Sequence, residues 1–584
     1  MSSRGKVSKL FTYENPWEAV VDYLDHIGVT EIFGLPSDDL GFLKALEKKP
    51  SARMILCKDQ RNAVFMAVGH AMESEKPGVC VVGKGPALTN TLTGLLEAKL
   101  LATPLILVAT GTSINRLGTK AFQELDQLSL VQPLVKWSYR VDHPDRLCWA
   151  LEKGAILAAN GTRGPVYIEI PEQLFEEKIP RKKAWEALTV RRFLPDEASV
   201  AQSLELIRSS NRPLLLLGGG MRKSKARNEI IRFVEQWGAA LFVTASGRGA
   251  VPEDHPLFCG LSGLYATEPI CRLWEETDMV VVIGSRLEET ATFGWERINA
   301  KATLIQVNIE PNDWSLEYPG MHMLGDGGLV VERWLKEFEK EPLVPNKKWV
   351  QHIQVHREQL FQRAKKCLED ARTDPSIHVV EVLDAMNQLV AKDRILVQEN
   401  GLQDMWSYFY PYYSCGSEGG AVLPSDQTSL GFGAAAVAGV KLAVKERPVI
   451  AWVGDGAFQL FGSDLKTVAE QKIPVMYIVL KNGGYGWLQH QWNQQDHPSS
   501  DHSRFHFTSL PSDLFQWVTE HPQIECMEIT DKTQLKQNLQ KAHRSQEEGK
   551  TVIVEIPVQL HDIPPGIQEI EGDFPGKENI TIGN

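Results

Sequence analysis

The chain has 584 residues, 43% hydrophobic and 23% charged, an ordinary globular composition that at about 100–200 residues per domain predicts several domains. A net charge of −12 without any basic stripe argues against a nucleic-acid partner, and no window approaches ~18 consecutive apolar residues, so no membrane-spanning helix is expected. The eight scattered cysteines show no CxxC spacing and the first twenty residues no apolar leader, so a reducing, cytoplasmic setting is expected, with neither a disulfide framework nor a zinc site.

Short β-rich runs alternate with longer helix-like segments from the start. "VCVVG" (79–83), "PLILVAT" (104–110) and "PVYIEI" (165–170) flank segments such as "NTLTGLLEAKLLA" (90–102). Strand-then-helix alternation implies βαβ units and a parallel sheet covered on both faces. A charged stretch at 176–199 reads as a linker. A second unit follows with "RPLLLLGGG" (212–220), "AALFVTA" (239–245), "DMVVVIGSR" (278–286) and "TLIQVNIEP" (303–311). The charged stretch 336–349 reads as a second linker. The third unit carries "RILVQEN" (394–400), "PVIAWVGDG" (448–456), "PVMYIVLKN" (474–482) and "TVIVEIPV" (551–558). The expected architecture is α/β, three sequential doubly wound parallel-sheet domains at 1–185, 195–340 and 374–560, with a tail at 561–584.

One carboxylate, Asp455, sits between Gly454 and Gly456 at the end of a predicted buried strand. Asp-Gly alone is a common turn dipeptide. In open parallel sheets, however, ligands collect at the carboxyl ends of strands, and glycine lets backbone amides approach an anion. One crossover helix later the next predicted strand ends in Asn482, followed by Gly483-Gly484-Tyr485-Gly486. An Asp oxygen, an Asn amide oxygen and a turn carbonyl make an all-oxygen set suited to Mg²⁺.

Asp455 with an Asn 27 residues later resembles the cofactor motif of thiamin-diphosphate (ThDP) dependent decarboxylases and carboligases. The resemblance covers nearly the whole chain and is strongest to the acetolactate (acetohydroxyacid) synthase branch. "LGTKAFQELDQLSLVQPLVKWS" (117–138) is similar to that branch's "GTDAFQEAD" region. "KGPALTN" (84–90) resembles "SGPGATN", "ENGLQDMWSY" (399–408) resembles "DVGQHQMWAA", and "SLGFGAAAVAG" (429–439) resembles "TMGFGLPAAIG". The resemblance implies that Asp455, Asn482 and the Gly484 carbonyl hold Mg²⁺ against the diphosphate. It implies cofactor contacts from Asn90, Leu402, Gln403, Gly454, Gly456, Ala457 and Gly486. Leu430 falls at the large apolar position that bends the cofactor, and the Thr428 carbonyl at the acceptor for its amino group. Phe122, Gln123 and Lys136 would face the substrate from a second subunit, which implies a homodimer or homotetramer with sites at the subunit interface.

The chain departs from the family at one position. ThDP enzymes ordinarily place a glutamate against the aminopyrimidine ring, six residues before a methionine; here "KDQRNAVFM" (58–66) puts Gln60 there and Asp59 one residue early. A neutral amide supports cofactor activation only by hydrogen bonding, and acid–base help is typically worth ~10²–10⁴-fold. If the segment is a strand, Asp59 points to the opposite face.

The middle unit matches the region where relatives bind FAD, with Arg286 at a flavin-contacting position and Asn308 and Glu310 where synthases carry aspartates; FAD stays open. "LLLLGGGMRKSKA" (214–226) lacks GxGxxG and reads as a tight strand–helix turn. Histidines 490, 497, 502 and 506 are irregularly spaced as a set and are not read as a zinc site, while Trp487 and Trp492 are candidates for shaping an acceptor pocket. The expected activity is decarboxylation of a pyruvate-like 2-keto acid followed by carboligation. The alternatives are aldehyde release, a non-pyruvate donor, or cofactor binding without turnover.

Overall fold

The computed structural model describes residues 11–36, 40–293, 299–416, 420–494, 521–564 and 566–567. Among them lie three six-stranded sheets in which every paired strand is parallel, so the chain is an α/β protein of three parallel-sheet domains. In chain-order numbering of its own strands, the first sheet runs 2-1-3-4-6-5: Arg53–Leu56, Glu31–Leu35, Gly78–Val82, Leu105–Gly111, Pro165–Pro171, Trp137–Arg140. The third sheet repeats that order: Ala421–Val422, Ile395–Gln398, Val449–Gly454, Met476–Lys481, Thr551–Pro557, Ile524–Glu528. The middle sheet runs 3-2-1-4-5-6, the order of dinucleotide-binding sheets, from Phe258–Leu261 through Ala240–Val243, Pro213–Leu217, Met279–Ile283 and Thr303–Asn308 to Met321–Leu324.

Central strands such as Leu105–Gly111 and Met279–Ile283 are buried along their whole length, which explains their continuous apolar runs. Among the described residues no helix is long and apolar enough to cross a membrane. All eight cysteines are free thiols.

The chain forms two compact units. One takes the chain up to Arg191 together with Ala435–Glu446 and Phe461–Ile473; the other takes Arg192–Ala434, Arg447–Leu460 and the chain from Pro474. Two helical segments that follow strands of the third sheet in sequence therefore belong to the unit of the first sheet. Their fit there is close. A Cβ on Gly439 would lie 1.8 Å from the Met66 carbonyl oxygen, and one on Gly69 would lie 2.4 Å from that of Ala436. Small residues thus let the helix Phe432–Ala443 approach the helix Gln60–Ser74 backbone to backbone.

The stretch 336–349 is not an open linker. It holds the end of the helix Gly327–Lys340 and the start of a 27-residue helix, Lys347–Thr373, whose N-cap Asn346 accepts hydrogen bonds from the Lys348 and Trp349 amides. Its lysines and glutamates are good helix formers, so high charge there marks an exposed helix face.

Candidate functional site

The ends of Ile395–Gln398, Val449–Gly454 and Met476–Lys481 line one edge of the third sheet, at the point where its strand order reverses. The turns after these strands meet. Asp455 is 7% exposed, and its two carboxylate oxygens accept from the amides of Gly456 (3.0 Å) and Gly483 (2.9 Å). The Asn482 oxygen accepts from Gly484 N–H at 2.9 Å, while its amide nitrogen donates to Gln403 Oε1 at 2.7 Å. Gln403 is itself fixed, donating to the Leu560 carbonyl at 3.1 Å. The Gly484 carbonyl oxygen lies 3.6 Å from where Gly456 would carry a Cβ. Asp455, Asn482 and Gly484 are therefore brought together, with the two Asp455 oxygens and the Asn482 oxygen each oriented by a backbone amide and keeping a further lone pair. That donor set fits a hard divalent cation.

Glycine is required at position 486. A Cβ there would sit 2.4 Å from Asn482 Nδ2, 3.0 Å from Gln403 Oε1 and 3.2 Å from Leu560 Cδ1. Gly454 lies at the end of its strand, and Gly456 and buried Ala457 open the short helix Asp455–Gln459, whose first-turn amides have no intrahelical partner. Leu402 is 1% exposed and part of the apolar core.

Two acids that sequence reading did not single out stand behind this site. Glu399 caps the helix Phe432–Ala443 remotely, accepting from the amides of Gly433 (2.7 Å) and Ala434 (3.2 Å). Asp404 accepts from Gly401 N–H at 3.0 Å, and its other oxygen is buried without a hydrogen-bond partner among the described residues. Burial pushes the Glu399 carboxyl up to about 8, aided by the Asp404 charge, and burial pushes Asp404 up to about 7. Asp455 is pushed up to about 6 by burial, against the lowering effect of its two amide donors. The only local signal in the sequence was two acids within six residues of an otherwise buried stretch.

Thr428 adopts φ +46°, a left-handed conformation that costs a β-branched residue on the order of 1–3 kcal/mol and that clusters at functional sites. Its loop is held by Thr428 N–H to Ser425 O (2.8 Å) and by Thr290 to Asp426 (2.7 Å). Leu430 is 39% exposed, an unusual position for a core leucine.

In the other compact unit, Gln60 opens the helix Gln60–Ser74 rather than lying on a strand. Its Oε1 accepts from Asn90 Nδ2 at 3.0 Å, so these two expected residues meet. Asp59 is the N-cap, accepting from Arg61 N–H at 2.8 Å, and is committed to the helix start. The placement of Gln60 depends on Asp464, whose carboxylate accepts from the amides of Lys58 (2.7 Å) and Asp59 (3.1 Å) and from Asn62 Nδ2 (2.9 Å). Phe122 is 71% exposed with the Lys84 ammonium 6.0 Å from its ring centroid, and Gln123, at φ +55°, lies against Gly85.

Lys136 is not brought together with them. Its Nζ donates to the Leu157 and Asn160 carbonyls, both at 2.7 Å, closing the C-terminus of the helix Pro144–Ala159. It precedes the strand Trp137–Arg140 at the sheet's N-terminal edge, whereas Gln127, just after Phe122 and Gln123, bonds to Gly85 and to the Thr110 carbonyl near the opposite edge.

In the middle sheet the switch point lies between Pro213–Leu217 and Met279–Ile283, where a Cβ on Gly218 would be 2.2 Å from the Gly284 carbonyl oxygen. Arg286 pairs with Glu288 at 2.8 Å, and Asn308 donates to the carbonyls of Ser285 and Asp313, both at 2.9 Å. Glu310 is the N-cap of the turn Pro311–Asp313. Trp487, His490 and Trp492 lie on the helix Gly486–Gln494; His497, His502 and His506 fall outside the described residues, as does the tail from residue 568.

Comparison with known proteins gives three family-model matches in chain order. Residues 16–130 match the thiamine pyrophosphate enzyme N-terminal TPP binding domain, 200–334 its central domain and 400–556 its C-terminal TPP binding domain. Among similar curated proteins, the acetolactate synthase large subunit of Haemophilus influenzae is 28% identical over 555 residues, covering 93% of this chain and 94% of that protein. Acetolactate synthase isozyme 3 large subunit of Escherichia coli is 25% identical over 552 residues, covering 93% and 94%. A probable acetolactate synthase large subunit of Methanocaldococcus jannaschii is 27% identical over 571 residues, covering 94% and 93%.

Proposed function

Because this chain belongs to the thiamine-pyrophosphate-dependent enzymes, in the branch that resembles acetolactate synthases, we propose that it is a Mg²⁺-dependent carboligase acting on a pyruvate-like 2-keto acid. The observation that carries the metal reading is the convergence of Asp455, Asn482 and the Gly484 carbonyl on adjacent turns, with Gly486 leaving no room for a side chain. Bound ThDP supplies an electron sink that lets a 2-keto acid lose CO₂ and then form a carbon–carbon bond. The chain's own residues hold and position. Asp455, Asn482 and the Gly484 carbonyl hold Mg²⁺, and Gly454, Gly456, Ala457 and Gly486 let backbone approach the diphosphate. Leu430 would lie against the bound cofactor, and the Thr428 carbonyl would accept from its amino group. Gln403 acts through Asn482, which it orients.

Gln60, held by Asn90, offers a hydrogen bond where relatives offer a carboxylate, and an amide exchanges no proton. Activation is therefore slower than with an acid. Phe122 and Leu430 are too exposed for a finished site, which supports completion by a second copy of the chain as a homodimer or homotetramer. The 3-2-1-4-5-6 order supports a nucleotide crevice, and hence FAD, in the middle domain; a visible flavin band in purified protein tests it. The free cysteines support a reducing, cytoplasmic setting.

The test is a proton NMR time course of the protein with ThDP, Mg²⁺ and pyruvate. Acetolactate or acetoin supports the proposal. Acetaldehyde alone moves the reading to a decarboxylase, and unchanged pyruvate with ThDP bound moves it to another donor or to binding without turnover. In Gln60→Glu, exchange of the cofactor's reactive proton should rise by roughly 10²-fold or more. An unchanged rate would remove Gln60 from the cofactor.

A further inference from the structure

The helix Lys347–Thr373 carries His352 and His356 one turn apart, the spacing that puts two imidazoles on one helix face. Glu276, the last residue of the helix Glu268–Glu276, reaches the same point. His352 Nε2 lies 3.1 Å from His356 Nε2 and 2.9 Å from a Glu276 carboxylate oxygen, and the three groups offer ligand atoms all within 4.8 Å of one another.

Without a metal, one His352 N–H would have to be shared between the Glu276 carboxylate and His356 Nε2. A metal ion would engage all three groups at once. At Zn–N and Zn–O lengths near 2.0–2.1 Å, tetrahedral ligands stand about 3.3 Å apart, close to the 3.1 and 2.9 Å of two of the pairs. We propose that Glu276, His352 and His356 form a divalent transition-metal site, Zn²⁺ by its ligand chemistry, that clips the Glu268–Glu276 helix to the long helix Lys347–Thr373.

Two imidazoles and one carboxylate leave a net charge of +1 on a dication and a fourth position open to solvent, since the His352 and Glu276 side chains are 36% and 46% exposed. His356 is 5% exposed, so it is the buried end of the site. The supports are rigid. Trp349, whose ring lies 5.6 Å from that of His352, donates to the Pro213 carbonyl at 3.0 Å, and Arg212 holds the Glu276 carbonyl at 2.6 Å.

The test is titration of the chelator-stripped full chain with Co²⁺ and with Zn²⁺, in excess Mg²⁺ so that hard-oxygen sites are filled. The expected result is one equivalent of Co²⁺ with visible tetrahedral bands, displaced by Zn²⁺. Affinity should fall at least tenfold in both His352→Gln and Glu276→Gln, exposed changes whose far-UV dichroism confirms folding. Absence of micromolar binding, or native affinity in either variant, would overturn the proposal.

Discussion

Glu399→Gln isolates the energetics of the acids behind the Asp455 turn. Glu399 is 1% exposed, and its carboxyl is pushed from 4.5 to about 8, chiefly by burial. Between those values the folded chain holds a proton that the unfolded chain releases. Stability therefore falls as pH rises through that window, by about 1.4 kcal/mol per unit for this one group. Gln mimics the protonated acid: it keeps an oxygen for Gly433 and Ala434 N–H and carries no charge. From pH 6 to pH 8 the variant should gain about 2 kcal/mol on the native chain, whatever fixed cost the substitution carries. For a domain of this size that is a relative Tm gain of roughly 4–8 °C. The assay is thermal unfolding of both chains in chelator at pH 6, 7 and 8. Parallel curves would refute the reasoning, because they would mean that Glu399 is ionised in the folded chain at pH 6.

Gly486→Ala should push Asn482 away from Gln403 and weaken Mg²⁺-dependent ThDP binding by roughly 10–100-fold, the usual effect of disturbing a ligand's support, as read by calorimetry; unchanged binding would exclude Asn482 as a ligand. Asp464→Ala removes the acceptor of two backbone amides and one side-chain amide, and should destabilise its unit by about 1–3 kcal/mol while misplacing Gln60. A lowered Tm together with a raised ThDP requirement checks it, and a Tm unchanged from native contradicts it. Lys136→Met should lower Tm slightly and leave kcat unaltered, since the ammonium closes a helix; a large fall in kcat with native Tm would restore it to the substrate side.

Central strands were legible because burial on both faces leaves a continuous apolar run, as in Leu105–Gly111, Met279–Ile283 and Val449–Gly454. The six sheet edges were not. Arg53–Leu56 and Trp137–Arg140 keep one side toward solvent, and Ala421–Val422 is two residues long, so none carries a signal above that of a loop. The turns carrying Asp455 and Asn482 were legible for a related reason. A strand end is a fixed place in a parallel sheet, so spacing alone brought Asp455 and Asn482 to one edge.

Residues whose partners are distant in sequence stayed hidden. Gln60 is placed by a carboxylate 405 residues from Asp59, and nothing in "SDLKTVAEQ" distinguishes Asp464 from a solvent-facing helix acid. Lys136 could have belonged to either edge of its sheet until the carbonyls of Leu157 and Asn160 took its ammonium. The histidine pair 352 and 356 lies one turn apart on the helix Lys347–Thr373, yet the pair alone is two polar residues on a charged helix. Glu276, brought to them by packing of a helix from the middle sheet, gives that spacing a chemistry, because a third ligand turns a hydrogen bond between rings into a competition for one nitrogen.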